Sequence, residues 1–189
     1  MNLILASQSQ GRAALLRAAG YRFRQIPSHV DEPAPHDGAH LERHVVELAL
    51  LKAQAVAIHY PRALVIGADT SLIFGRTIIG KPNSLADAVR MLARLAGRTH
   101  RISSAACVIH PETKQGTRRV VTLVDTAWVT LRRWPLERLR RHVAITRPLA
   151  WAGAYAVQDP QSAAIVASIQ GDLATVIGLP MEKLDRILR

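Results

Sequence analysis

A short β-branched run, Leu64-Val65-Ile66, passes directly into Gly67-Ala68-Asp69-Thr70, and this junction sets the class of fold open to the chain. The run reads as a buried strand, so Asp69 is expected at a strand's carboxyl end, the place where α/β enzymes keep their chemistry. Ser71–Phe74 and Arg76–Ile79 flank Gly75 as a tight hairpin, which is expected to fold Gly80-Lys81-Pro82 back toward Asp69. An acid with an ammonium nearby suits a phosphate-ester substrate. A strand-end aspartate also serves as a turn former or helix cap, so the assignment depends on partners elsewhere in the chain.

The amino-terminal segment supplies the first of them. Asn2–Ala6 reads as a strand, and Ser7-Gln8-Ser9-Gln10-Gly11-Arg12 opens a helix with Leu15, Leu16 and Ala19 inward, stopped by Gly20. The first amides of such a helix lack internal partners. Ser7 and Ser9 add hydroxyl donors, and Arg12 can fork onto two oxygens, which together make a phosphate-binding arrangement. The competing reading is that Ser9 only caps the helix.

Tyr21–Ile26 alternates as a second strand, and 27–39 has no core pattern and reads as a loop. Within it Asp31-Glu32 places two carboxylates together, suited to a hard divalent cation. The spacing of His29, His36, His40 and His44 fits no familiar zinc pattern. A long amphipathic helix is expected over 41–59, with Val45, Leu48, Leu51, Ala55 and Ile58 inward and Lys52 at the edge of the buried face, where its stem either reaches a cleft or is solvated.

Further along, Ser84 and Asp87 form a capping box for a helix carrying Leu85, Val89, Leu92 and Leu95. Residues 101–110 and 117–130 read as two long strands, and 135–143 as a basic helix. Ala152–Gln158 is rich in small residues, which permits close backbone approach to a flat ligand, and the Gln158 amide can donate and accept at a base edge. Ile165–Ile169 is a further strand, Gly171-Asp172 a turn, and Gly178-Leu179-Pro180 leads a final helix through Leu184 and Leu188. No repeat or long linker divides the chain, so 1–189 is expected to be a single domain.

The net charge of +11 draws polyanions. Most arginines read as a solvated surface. Lysine is scarce, at 52, 81, 114 and 183 only, and two of these fall beside the segments singled out. The Arg132–Arg141 tract, with Trp128 and Trp134 near it, is the alternative nucleic-acid surface, although it carries no recognised binding motif. Cys107 stands alone inside an apolar run, which excludes a disulfide within the chain and suggests a reducing compartment. Met1–Ala6 is too short for a signal peptide or a membrane span, and a cytoplasmic protein is expected.

The ordered set LASQSQGR, VDE, LLKAQAVA, IGADT, GKP, LAGRTHR, AGAYAVQ and GDLATVIGLP resembles the Maf family of nucleotide pyrophosphatases from Leu3 to Leu184. The resemblance implies a mixed β-sheet flanked by helices in an α/β fold of two lobes with a central cleft. It implies hydrolysis of the α–β bond of a nucleoside triphosphate to a nucleoside monophosphate and pyrophosphate, with a divalent cation, Mg²⁺ or Mn²⁺. Carried over by position, Asp69 looks like the acid-base carboxylate and Glu32 its acidic partner, and the two are the candidate metal ligands. Arg12, Lys52 and Lys81 match basic phosphate-binding positions, with Ser7 and Ser9 in the serine-rich turn. Thr70 and Gln158 match positions associated with substrate choice, and Gln158 is similar to the branch acting on dTTP and UTP. The expected partner is the nucleotide, with neither membrane nor nucleic acid; a homodimer is compatible.

Departures accompany the likeness. Thr146-Arg147-Pro148-Leu149-Ala150-Trp151-Ala152-Gly153 stands where the family commonly reads Gly-Glu-Pro-x-Asp-Lys-Ala-Gly, so two acids and a lysine are gone. Gln10 replaces a usual proline, Ser104-Ala105 stands for Thr-Gly, and Asp159 stands where glycine is frequent. The changes at Arg147, Ala150 and Trp151 leave open altered substrate choice or turnover. They also motivate the alternative function, a catalytically impaired nucleotide-binding regulator linked to cell division.

Overall fold

The computed structural model describes residues 2–33 and 41–189. Its elements run β1 (Leu3–Leu5), α1 (Gln10–Ala18), β2 (Arg24–Gln25), α2 (Leu41–Ala57), β3 (Leu64–Phe74), β4 (Thr77–Ile79), α3 (Leu85–Leu95), β5 (Thr99–Ile109), β6 (Val120–Leu131) and α4 (Leu136–Thr146), followed by a 3-10 turn at Ala152–Ala154, α5 (Pro160–Ala163), β7 (Val166–Gln170), α6 (Leu173–Ile177) and α7 (Met181–Leu188). The described strands form a mixed sheet in the order β2-β1-β3-β5-β6-β7, with β4 paired to β3. β2 and β3 run parallel to β1, whereas β4 is antiparallel to β3 and β7 to β6.

The chain divides into two compact units, Met1–Thr70 with Ser104–Asp125 and Gly178–Arg189, and Ser71–Ser103 with Thr126–Ile177. β3, β5 and β6 contribute residues to both.

In the first unit, strand alternation explains the core. Leu3, Leu5, Leu64, Ile66, Ala68, Ala106 and Val108 face one way and pack with Ala13 and Leu16 of α1 and Leu184 and Leu188 of α7. Ile4, Val65, Ala105, Cys107 and Ile109 face the other way and pack with Val45, Ala49, Ala53 and Val56 of α2. Strands buried on both faces read as continuous apolar runs, which is why these segments show little polar alternation. Cys107 is buried, and burial pushes its thiol up to about 11, so it is a core residue rather than a nucleophile.

The phase of α2 differs from the expected one. Leu51 and Ala55 are only half-buried and Ile58 is 72% exposed beyond the helix end, while His44, Ala49, Lys52, Ala53 and Val56 are buried. The cause lies on β3. A Cβ at Gly67 would sit 2.5 Å from the Ala53 amide nitrogen and 2.8 Å from the Ala53 Cβ, so α2 lies backbone-close on the strand at its smallest residues. That contact, rather than the bulk of Leu51, sets the helix rotation and takes Lys52 inward.

In the second unit, Leu72, Ile79, Leu92, Leu95, Val129, Leu131, Leu139, Tyr155 and Ile165 form the core. The hairpin is as expected, with Phe74↔Thr77 pairing around Gly75 at φ +63°. The capping box is half formed: Ser84 Oγ accepts from the Asp87 amide (3.1 Å), but the Asp87 carboxylate accepts from Asn83 rather than from Ser84. The small residues of Ala152–Gln158 serve the core. A Cβ at Gly153 would meet Leu72 Cδ1, so at this glycine the close approach is to the protein's own side chain. α6 follows the Gly171-Asp172 turn in a stretch where no element was expected; at five residues it is too short for a periodic pattern to show. On the basic tract, Arg138 lies 4.0 Å over Trp134, while Arg140 and Arg141 pair with Glu137, the bonding of a solvated helix face.

His100 is buried in this unit, with Nε2 2.6 Å from the Tyr155 hydroxyl and Nδ1 unpartnered among the described residues. Burial pushes its pKa down from 6.5 to about 4. The unfolded chain therefore binds the proton first. Stability is full above pH 6.5 and falls as pH drops toward 4, by about 3 kcal/mol in all. Urea unfolding at pH 7 and 4.5 should show this slope, and His100→Phe should flatten it; equal slopes would refute the assignment.

Candidate active site

Asp69 is buried at 6% exposure and lies inside β3, which continues to Phe74, rather than at the strand's carboxyl end. The end that matters is that of β1. Pairing of β1 with β3 stops at Leu5↔Ile66, where the Ala6 amide donates to the Ile66 carbonyl (2.7 Å). Asp69 and Thr70 lie beyond it on β3. Alternation then separates them: Asp69 shares the α2 face with Val65 and Gly67, and Thr70 shares the α1 face with Ile66 and Ala68.

On the α2 face, Lys52 Nζ donates to Asp69 Oδ1 at 2.6 Å and lies 2.7 Å from Glu32 Oε1. The side chains of Lys52 and Asp69 are 11% and 9% exposed, whereas that of Glu32 is 54% exposed. A cation held between two acids keeps both carboxylates in place. Asp69 Oδ2 and Glu32 Oε2 make no hydrogen bond among the described residues. An all-oxygen pair of this kind fits a cation of the Mg²⁺ type, which takes one or two carboxylates, several waters and substrate phosphates. Among the described residues no group of three or more His, Cys, Asp or Glu side chains that could hold a metal ion occurs. His36 and His40 lie outside the described residues.

On the α1 face, Arg12 is anchored three ways. Its Nε donates to the Gly178 carbonyl (3.0 Å), Nη1 to Ser7 Oγ (3.1 Å) and Nη2 to Thr70 Oγ1 (3.1 Å). All three acceptors are neutral. Of five guanidinium N–H groups, one on each terminal nitrogen remains for a ligand. Burial lowers the Arg12 pKa, and the charges of Asp69 and Glu32 oppose that shift, so Arg12 and Lys52 answer to the same two carboxylates. A guanidinium without an acid bonded to it, in a partly desolvated setting, has the donors and charge to take an anion.

Ser9 is the N-cap of α1, accepting from the Arg12 amide at 3.3 Å, and its own amide donates to Ser7 Oγ at 3.2 Å. Ser9 therefore caps the helix, while Ser7 bonds Arg12 directly. Lys81 and Gln158 belong to the second unit, where both are exposed. Asp159, the departure beside Gln158, caps α5 by accepting from the Ser162 amide (2.6 Å). Arg147 ends α4 in a left-handed conformation at φ +43°, and Trp151 is half-buried ahead of the 3-10 turn. Two participants were not among the candidate site residues, Ser104, noted only as standing with Ala105 for Thr-Gly and now with its Oγ 2.8 Å from Thr70 Oγ1, and the Gly178 carbonyl. Gly178, at φ +133°, carried a signal as a glycine just before Leu179-Pro180; Ser104 carried one as a hydroxyl in an apolar strand, where the family commonly has threonine.

The family described as Maf-like protein matches residues 2–189. A protein of Moorella thermoacetica named dTTP/UTP pyrophosphatase is 41% identical over 187 residues, covering 98% of this chain and 93% of its own length. One of the same name from Symbiobacterium thermophilum is 38% identical over 188 residues, covering 98% and 92%. Among solved structures, a HAM1 protein from Coxiella burnetii matches 100% of this chain and 98% of its own with a TM-score of 0.54 at 14% identity, a likeness of fold. With a family match along almost its whole length, and Asp69, Lys52, Glu32 and Arg12 grouped as described, the chain belongs to the Maf family.

Proposed function

We propose that this protein hydrolyses the α–β anhydride of a nucleoside triphosphate, releasing a nucleoside monophosphate and pyrophosphate, with dTTP and UTP or modified pyrimidine nucleotides as substrates. The observation that carries the reading is the buried Asp69–Lys52 pair, with Glu32 on the same ammonium and Arg12 held near by neutral acceptors. The names of the relatives support the reaction and the bases.

In this reading Arg12 and Lys52 bind phosphate oxygens, and Lys81 is a further phosphate-binding cation. Asp69 orients a water and takes its proton as the oxygen bonds to phosphorus and the anhydride bond breaks. Glu32 and Asp69 would hold the Mg²⁺ or Mn²⁺, which neutralises charge on the phosphate oxygens when bound. Thr70 fixes Arg12, and Gln158 reads the imide edge of the pyrimidine. The protein works in the cytoplasm, where nucleoside triphosphates are made and used, as a single domain over 1–189 and with a homodimer compatible. No helix among the described residues is long and apolar enough to cross a membrane.

The regulator reading is not favoured: Asp69, Glu32, Lys52 and Arg12 are all grouped, and Arg147 and Trp151 occupy helix-end positions of the second unit. Pyrophosphate release measured across a nucleotide panel with Mg²⁺ or Mn²⁺ should be largest for dTTP and UTP. Folded protein that binds nucleotides but turns over none of them would favour the regulator.

A further inference from the structure

We infer that Ser104 is a positioning residue for Arg12, acting through the hydroxyl of Thr70. The inference rests on the proposed hydrolase reading for its meaning, although not for its test. Arginine carries a long side chain with many rotamers, and a phosphate site needs its remaining donors aimed before the ligand arrives. Two of the three anchors on Arg12, Ser7 Oγ and Thr70 Oγ1, are hydroxyls, which rotate freely unless a further partner fixes them.

Thr70 has such partners. Its Oγ1 lies 2.8 Å from Ser104 Oγ and 3.4 Å from the Gly178 carbonyl. Because the Arg12 Nη2–H needs a lone pair on Thr70 Oγ1, the single proton of the Thr70 hydroxyl must point away from Arg12. Ser104 Oγ and the Gly178 carbonyl are the acceptors placed to take it; alternatively Ser104 donates to a second lone pair. Either arrangement holds the Thr70 oxygen toward Arg12. The fold makes the contact available, since Thr70 on β3 and Ser104 on β5 belong to neighbouring strands, and both sit on the α1 face by the even parity they share with Ile66, Ala68 and Ala106. Ser104 is fully buried, where an apolar side chain would be the ordinary occupant.

Gly178 completes the device. Its carbonyl accepts from Arg12 Nε, and a Cβ there would stand 3.1 Å from Arg12 Nε and 3.2 Å from Thr70 Oγ1, besides opposing φ +133°.

The competing account is a buried hydroxyl that contributes to stability and nothing else. A double-mutant cycle separates the two. Ser104→Ala should lower kcat/KM about fivefold, mostly through KM, the effect of one lost hydrogen bond. In an Arg12→Ala background the same change should have less than about a twofold effect. Ser104→Thr should restore the wild-type value, and the near-isosteric Ser104→Cys serves where the alanine variant does not fold. Calorimetric binding of inorganic triphosphate provides a second cycle that needs no turnover, with the same pattern expected in Kd. If wild type releases no pyrophosphate from any nucleotide, the hydrolase reading falls, and the triphosphate cycle still decides the role of Ser104. Equal losses with and without Arg12, or no loss on Ser104→Ala, would overturn it.

Discussion

Asp69→Asn is expected to lower pyrophosphate release by about 10²–10⁴-fold, the range for removal of a general acid or base, while the protein stays folded and binds inorganic triphosphate. The variant preserves shape inside β3. It deletes the charge that can accept a water's proton, and it removes one of the two carboxylates on Lys52. Glu32, 2.7 Å from the same ammonium, remains, so Lys52 is not left as an uncompensated buried cation. The stability change should therefore fall well below the ~3–5 kcal/mol that follows breaking a buried ion pair outright. Pyrophosphate release, triphosphate binding and thermal unfolding measured on one preparation separate the effects. Unchanged turnover in the folded variant would remove Asp69 from the chemistry.

Gly67→Ala should produce the largest loss of stability, about 3 kcal/mol or more, at the upper end of overpacking costs. The added Cβ would come within 2.5 Å of the Ala53 backbone nitrogen, and α2 would have to lift from β3 because backbone on both sides cannot yield locally. Lifting α2 also withdraws Lys52 from Asp69. The variant should therefore lose activity even at temperatures where it remains folded, although Gly67 carries no functional group. A denaturation midpoint equal to wild type would show that the helix is not seated as described.

Much of the architecture was legible because it is written in local terms. β-branched runs, the turn glycine at 75, and Ser9 and Ser84 ahead of apolar periodicity each depend on neighbours a few residues away. The Maf likeness was legible for a related reason: its residues occur in a fixed order along the chain, and the family match over 2–189 agrees. The misses share a different origin. Asp69 was expected at the end of a strand because the β-branched run stops at Ile66, yet β3 runs on through Gly67. The glycine is there to admit α2, a fact that belongs to another segment.

The sequence by itself determined which residues carry charge and hydroxyls, where the longer strands and helices lie to within a few positions, and the family. Tertiary structure alone decided who meets whom. Strand parity sent Asp69 to Lys52 and Thr70 to Arg12, the seating of α2 on Gly67 turned Lys52 inward, and the carbonyl that anchors Arg12 came from 166 positions away. The physical reason is that propensity and periodicity are properties of a few adjacent residues. Hydrogen bonds across distant segments depend on the rotation and closeness of packed elements, which no local pattern encodes.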